Sequence, residues 1–503
     1  MKVLGRLLVL LTGGMALIVS VMVLRFYKSI PDIAAVQAHN AESISLLQRD
    51  LKEGLAFPKE FFWGSATSAH QVEGNNTNND WYVWEQARDK NGRCRVRNCD
   101  ASGAAAEHYQ RFDADFALAR NLNQNMHRFS IEWSRIEPKE GEWDFNAVNH
   151  YREVLASLKR HGIRPMVTLH HFTNPLWLAQ SGGWKNPKTI YKFERYVRFV
   201  VEQFRSDVDV WVTINEPEVY AVYAYLYGIF PPGEKDLTAM LVVMSNLLKG
   251  HARAYRAIHE LYNVGADGDR RPALVGLVKH MRIFMPDDPG SSADRSAAKI
   301  YNYFFNVLAL DSVATGRIQF NVPLVYARDE IVEGLKDSWD FIGVNYFSRD
   351  MVAFDFSRPY TLFARITYRP DRRRYSEIGE GWEIFPQGLF QSLMTLKRYD
   401  RPIFITENGI ADAGGALRPS FIGEHAYNVW QAIQRGVDVR GYLYWALIDN
   451  FEWNMGSSPR FGLYTVDYQT QERRLTAGGE LLRDLAAANA LTPAIQARLR
   501  SGY

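Results

Sequence analysis

Two glutamates stand beside asparagines at the ends of apolar runs, in Thr213-Ile-Asn215-Glu216-Pro217 and Ile405-Thr-Glu407-Asn408-Gly409. Paired carboxyls are what glycosidic-bond cleavage needs: one protonates the departing oxygen and the other meets an oxocarbenium-like carbon. Either motif alone reads as a rim glutamate held in a salt bridge. Two such motifs, each following an apolar strand, point to paired acid–base chemistry. Other hydrolytic and nucleotide chemistries lack their signatures. No G-x-G-x-x-G follows the early strands, and phosphate-loop, G-x-S-x-G and H-E-x-x-H motifs are absent. Two carboxylates suffice for the reaction, so no metal or organic cofactor is implied.

The elements that must position these glutamates alternate along the chain. Buried strands are expected over 163–169, 208–214, 273–278, 341–344, 402–406 and 439–444. Amphipathic helices are expected over 148–161, 191–206, 237–261 and 423–435. Repeated strand–helix alternation implies parallel strands with crossover helices, as an open doubly wound sheet or a closed barrel. Polar residues gathered at the C-terminal ends of strands suit the catalytic rim of a barrel. One continuous α/β domain is expected over residues 57–490, with a C-terminal tail at 491–503.

The 59 basic and 56 acidic side chains leave a net charge of +3, too balanced for a nucleic-acid-binding face. The aromatic content of 13% suits either a large core or a cleft that stacks sugar rings. A local basic cluster, Arg369, Arg372, Arg373 and Arg374, reads first as a solvated loop and second as a contact for anionic headgroups. Residues Leu7 to Leu24 form an uncharged apolar run long enough for about 27 Å of helix. Arg25-Phe-Tyr-Lys28 follows it rather than a small-residue cleavage site, which favours an uncleaved signal anchor over residues 1–28. A juxtamembrane linker would then span 29–56. Lys2 and Arg6 balance Arg25 and Lys28, so charge hardly decides orientation. Cys94 and Cys99, the only cysteines, form either a small disulfide-closed loop or two surface thiols. No second Cys/His pair accompanies them, which argues against zinc. The disulfide option places the catalytic part outside the cytoplasm.

Over residues 57–485 the chain resembles the family 1 glycoside hydrolases. The two glutamate motifs are similar to that family's acid/base and nucleophile motifs. Further matches follow in the family's order: Phe62-Trp-Gly-Ser-Ala-Thr-Ser-Ala-His-Gln71, Arg128-Phe-Ser-Ile-Glu-Trp-Ser-Arg135 and Thr168-Leu-His-His171-Phe172. Then come Asp340-Phe-Ile-Gly-Val-Asn345-Tyr346, Gly381-Trp382, Trp445-Ala-Leu-Ile-Asp-Asn-Phe-Glu452-Trp453 and Arg460-Phe461. The resemblance implies a retaining β-glycosidase on a single (β/α)8 barrel over residues 57–490, in which Glu407 attacks the anomeric carbon and Glu216 is the acid/base. Such a pair lies about 5–5.5 Å apart. It implies Arg128 beside Glu407, and Asn215 on the sugar 2-hydroxyl. Gln71, His171, Glu452 and Trp453 would bind the remaining hydroxyls. Trp445 would form a platform under the ring, and Trp382 would flank the aglycone. Asn345 and Phe461 complete the expected substrate-binding set. His170 points away from His171 on the same strand and reads as a core residue. Trp63, Trp133 and Trp184 carry no expected site role.

One departure stands out. The family carries Asn-Tyr-Tyr where this chain has Asn345-Tyr346-Phe347, so the hydroxyl that would donate to the nucleophile is missing. Loss of a donor raises a carboxylate's pKa and weakens it as a leaving group. Glu452 is retained, which favours non-phosphorylated sugars. Two other readings compete with hydrolysis of β-glucosides, β-galactosides or β-fucosides. One is transglycosylation onto lipid or sugar acceptors, as in a membrane-anchored branch of the family that remodels galactolipids. The other is a non-catalytic glycan-binding protein, which the presence of both glutamates disfavours.

Overall fold

A computed structural model describes residues 46, 51–263, 272–322, 325–358, 361–379 and 381–501. The expected membrane segment at 1–28 and most of the linker lie outside these residues. Among the described residues no helix is long and apolar enough to cross a membrane.

Eight strands form the centre: β1 (Phe62–Ala66), β2 (Met126–Ser130), β3 (Arg164–His170), β4 (Val210–Asn215), β5 (Leu274–Pro286), β6 (Phe341–Phe354), β7 (Ile403–Asn408) and β8 (Val439–Trp445). Each pairs in parallel with its sequence neighbour. The β8–β1 pairing closes the ring, so the open-sheet alternative is excluded and the fold is a (β/α)8 barrel. The inner faces of the strands supply a floor of Met126, Met166, Val210, Val212, Val278, Phe341, Phe404 and Leu443. Gly64 lets β1 and β2 approach closely, because a Cβ there would overlap the Met126 carbonyl oxygen.

The outer ring includes helices His108–Asn121, Phe145–Arg160, Thr189–Phe204, Leu237–Asn263, Gln387–Leu396, Arg418–Gln434 and Ala477–Ala488. Thr189–Phe204 shows why such segments dock. Phe193, Val197, Val200, Val201 and Phe204 recur at helical spacing and are fully buried against the barrel. Helix Phe145–Arg160 starts where Asp144 accepts hydrogen bonds from the Asn146 and Ala147 amides at 2.8 and 3.4 Å. Such a cap contributes about 1 kcal/mol.

β5 and β6 run well beyond the expected 273–278 and 341–344. They continue as a paired ladder out to Pro286 and Val352, and Ala364–Thr367 adds an antiparallel strand to β6. The extension was hidden because Lys279, His280 and Arg282 break the apolar run. Their polarity reflects what they face, not the end of the strand. At the far end of the chain, Ala490–Leu491 pairs antiparallel with Leu55–Ala56. Helix Pro493–Ser501 then packs beside Arg418–Gln434, where a Cβ on Gly423 would press on Leu499. The folded body thus includes residues on both sides of the 57–490 span. Cys94 and Cys99 are joined by a disulfide, which resolves the open alternative at that loop. In the basic cluster, Arg369 pairs with Asp287 and Arg372 with Asp371.

Candidate active site

Glu216 and Glu407 come together at the C-terminal rim, and a backbone irregularity aims each of these strand ends. In β4, inward-facing Val210 and Val212 are followed by a register shift before Asn215. In β7, inward-facing Phe404 is followed by a shift between Ile405 and Glu407. Such bulges flip the parity of alternation and turn the next side chain into the barrel. Glu216 itself adopts a left-handed conformation at φ 44°, which costs a residue with a Cβ roughly 1–2 kcal/mol. Pro217 then opens a helix running to Tyr225. Beyond β7, Gly409 passes so close to the end of β8 that a Cβ would overlap the Trp445 carbonyl oxygen.

The two carboxyls have different neighbours. The Arg128 guanidinium donates to Glu407 Oε1 at 2.5 Å and to Asn215 Oδ1 at 2.7 Å, with its Nε on Thr168 at 3.0 Å. Glu216 Oε1 instead accepts the Asn345 amide at 2.7 Å and lies 3.1 Å from His280 Nδ1. Asn345 is fixed in turn by Thr406, whose hydroxyl donates to its Oδ1 at 2.7 Å. Burial pushes both carboxyls above the ordinary range, and each would raise the other if both were charged. The site therefore favours a single negative charge. It settles on Glu407, the only one of the two in direct contact with a guanidinium.

These groups face a cleft of about 610 Å³ lined by His171, Asn215, Glu216, Trp382, Glu407, Trp445, Glu452 and Trp453 among the expected residues. Burial holds the His171 imidazole well below its usual pKa, with Arg128 adding to the effect, so the ring is neutral. The Asn215 amide lies 3.2 Å from its Nε2, and its Nδ1 has no hydrogen-bond partner among the described residues. Burial pushes Glu452 up to about 8, against hydrogen bonds from Trp445 and Gln71. Trp453 stacks on His70, and Trp445 lies over His171.

Four expected residues stand behind the lining. Gln71 is fully buried and donates to Asn450, Phe451 and Glu452. Asn345 and Arg128 act from beneath the carboxyls. Phe461 packs edge-on against Trp382 and Phe347 at 5.7 and 6.3 Å, supporting the wall instead of forming it. His170 sits in the core, accepting from Trp184 Nε1 at 3.1 Å. The sequence reading missed His280 and Arg282 on the extended β5, and Val219, Tyr223 and Phe230 along the rim. Continued alternation from Val278 through His280 to Arg282 was the available signal. Phe347 lines the cleft as well, and Glu407 takes its hydrogen bonds from Arg128 and Asn345.

Two carboxyls on a barrel rim, one paired with arginine and one held by a neutral amide, define a double-carboxylate glycosidase. Comparison with known proteins agrees. Residues 54–491 match glycosyl hydrolase family 1. A β-galactosidase from Pyrococcus woesei is 32% identical over 89% of this chain and 100% of its own length. β-Glucosidase A from Thermotoga maritima is 32% identical over 86% of this chain and 98% of its own. Among solved structures, a β-glycosidase from Pyrococcus horikoshii superposes with a TM-score of 0.79 at 36% identity, covering 89% of this chain and 98% of that one. A T. maritima β-glucosidase in complex with glucoimidazole gives 0.77 at 31%, over 87% of this chain and all of that one. The chain belongs to glycosyl hydrolase family 1 and is a retaining β-glycosidase of the β-glucosidase/β-galactosidase type.

Proposed function

We propose that the enzyme cleaves non-phosphorylated β-glucosides, β-galactosides or β-fucosides through a covalent glycosyl-enzyme on Glu407, with Glu216 as acid/base. The carrying observation is the asymmetry between the two carboxyls. Glu407, charged and oriented by Arg128, attacks the anomeric carbon as Glu216 gives its proton to the leaving oxygen. Glu216, now charged, takes a proton from the incoming water, which attacks that carbon and releases Glu407. Asn215, set by Arg128 and Asn345, is placed to hold the sugar 2-hydroxyl. His171, Glu452 and Trp453 bind the other hydroxyls over the Trp445 platform, with Gln71 orienting Glu452 from behind, and Trp382 flanks the aglycone. Glucoimidazole in the T. maritima relative supports a glucose-configured subsite.

Absence of phosphate on the sugar is supported by charge. Three carboxyls share the cleft, and Arg282, the lone Lys or Arg among its described lining residues, is paired with Asp350 at 2.9 Å. The reading extends to a tether through residues 1–28, with the catalytic domain outside the cytoplasm. The uncharged Leu7–Leu24 run and the Cys94–Cys99 disulfide support it. Apolar Val219, Phe230, Phe347 and Trp382 in the cleft favour a second reading, transfer to a sugar or lipid acceptor. Added acceptor yielding only free sugar would exclude it.

The test is turnover of p-nitrophenyl β-D-glucoside, β-D-galactoside and β-D-fucoside by the full chain in detergent, beside Glu407→Gly. Release by the parent alone ranks the sugars and supports the assignment. Equal release by both removes Glu407 from the mechanism.

A further inference from the structure

Arg282 stands where the β5–β6 ladder changes register. Met281 pairs with Tyr346 and Ile283 with Arg349, so Arg282 faces two β6 residues, Phe347 and Ser348. An extra residue of this kind re-aims side chains, and such irregularities gather beside active sites. The Asn306 side chain satisfies both backbone groups of Arg282. Its Oδ1 accepts from the Arg282 amide at 3.1 Å, and its Nδ2 donates to the Arg282 carbonyl at 2.6 Å. Asn306 is itself buried in a single π-helical turn, Tyr303–Val307, a form frequent at functional sites.

From this mount the guanidinium reaches the wall of the cleft. Its Nη2 donates to Ser348 Oγ at 2.5 Å, to Asp350 Oδ1 at 3.2 Å and to the Gly381 carbonyl. The Ser348 hydroxyl donates to the same carbonyl at 2.9 Å. Gly381, at φ 77° in the left-handed region that suits glycine, immediately precedes Trp382. On the other side of Trp382, Glu383 accepts from Arg349 Nε at 3.2 Å. Arg282 and consecutive residues of β6 thus grip the chain on both sides of one indole. The ring itself packs against Phe347 and Phe461 at 5.5 and 5.7 Å. Ring contacts of this kind allow several geometries, whereas charge-assisted hydrogen bonds to a backbone carbonyl fix one.

We infer that Arg282, mounted on Asn306, is a positioning residue for the aglycone: it sets Trp382 against the leaving group and so selects which glycosides are cleaved. This rests on the reading of Trp382 as the aglycone flank. Asp350 Oδ2 lies 2.9 Å from Arg282 Nε, so the clamp adds no net charge to the cleft. The aglycone it favours is uncharged and flat, laid on the indole in a cleft also lined by Val219, Tyr223 and Phe230.

Removing Arg282 alone would strand the Asp350 carboxylate in the interior, so the first variant, Arg282→Met/Asp350→Asn, removes both charges. The second, Asn306→Ala, keeps the guanidinium and frees the backbone beneath it. Each is assayed by glucose release from benzyl and methyl β-D-glucosides, whose leaving alcohols have like acidity but differ in what they offer the indole. Inhibition by glucoimidazole, which carries no aglycone, reports the sugar side. Arg282→Met/Asp350→Asn is expected to lose about five- to tenfold of the parent's benzyl-over-methyl preference in kcat/KM, with the glucoimidazole inhibition constant held within about twofold. Asn306→Ala should lose about two- to threefold in the same direction. Adding Trp382→Ala to either should remove no further preference, because both act through the indole. A folded variant that keeps the parent's preference would overturn the inference. So would a further loss on adding Trp382→Ala, or glucoimidazole weakened as much as benzyl glucoside. Trp382→Ala alone separates the two levels: if it keeps the parent's preference, the aglycone reading of Trp382 falls, and the inference with it.

Discussion

The floor and the rim of this barrel are built from the same strands, often a few residues apart, and they have opposite chemistry. Met126 closes the floor and Arg128, two residues on, holds Glu407. Phe341 is floor and Asn345 is the donor between the carboxyls. Leu443 is floor and Trp445 is cleft wall. The floor buries apolar groups that favour leaving water. The rim buries carboxyls that must be held by an arginine and an amide. The comparison teaches that stability and reactivity are separable along a single strand: floor substitutions should cost folding, and rim substitutions should cost turnover.

The largest expected effect is at the rim. Glu407→Gly should lower kcat by about 10⁴-fold or more, the scale of a lost nucleophile. Melting temperature should change little, because Glu216 can ionise near Arg128 once Glu407 is gone; a large fall would break the division between floor and rim. Next, Glu216→Ala should slow phenyl β-glucoside by about 10²–10⁴-fold in kcat/KM, and 2,4-dinitrophenyl β-glucoside far less. Equal losses across leaving groups would contradict its role as a proton donor.

Arg128→Met tests the electrostatics. Arg128 lowers the Glu407 pKa, so its removal raises that pKa and carries the acid limb of kcat/KM to higher pH, by about 1–3 units. A pH–rate profile with the acid limb unmoved would mean that Arg128 does not set the charge state. In the floor, Leu443→Ala should cost about 2–5 kcal/mol of stability, read as a lower melting temperature, with kcat per folded molecule unchanged. The smallest effect is expected from Phe347→Tyr. Restoring the family's phenol should raise kcat by less than about tenfold. A fall in kcat would show that the cleft has adapted to the phenyl ring.

Much of this was legible in the residues. Strand–helix alternation, the two glutamate motifs and the order of the smaller matches gave the barrel and the location of its chemistry. His171 and His170 separated into cleft and core as strand alternation required. Other features were not legible for physical reasons. Bulges in β4 and β7 shift parity, which a period of two does not encode, so the aim of Asn215 and Glu407 came from motif resemblance alone. β5 read as ending at Val278 because a strand entering a polar cleft looks like a strand entering solvent. That hid His280 and Arg282. Phe461 matched the family motif, yet whether an aromatic faces sugar or supports the wall depends on packing.

The most direct test of the central claim is to trap the intermediate. The full chain is incubated with 2,4-dinitrophenyl 2-deoxy-2-fluoro-β-D-glucoside, digested, and its peptides examined by mass spectrometry. The account predicts one fluoroglucosyl adduct, on the peptide bearing Glu407 and on that carboxyl. An adduct on Glu216 or on any other residue would contradict it.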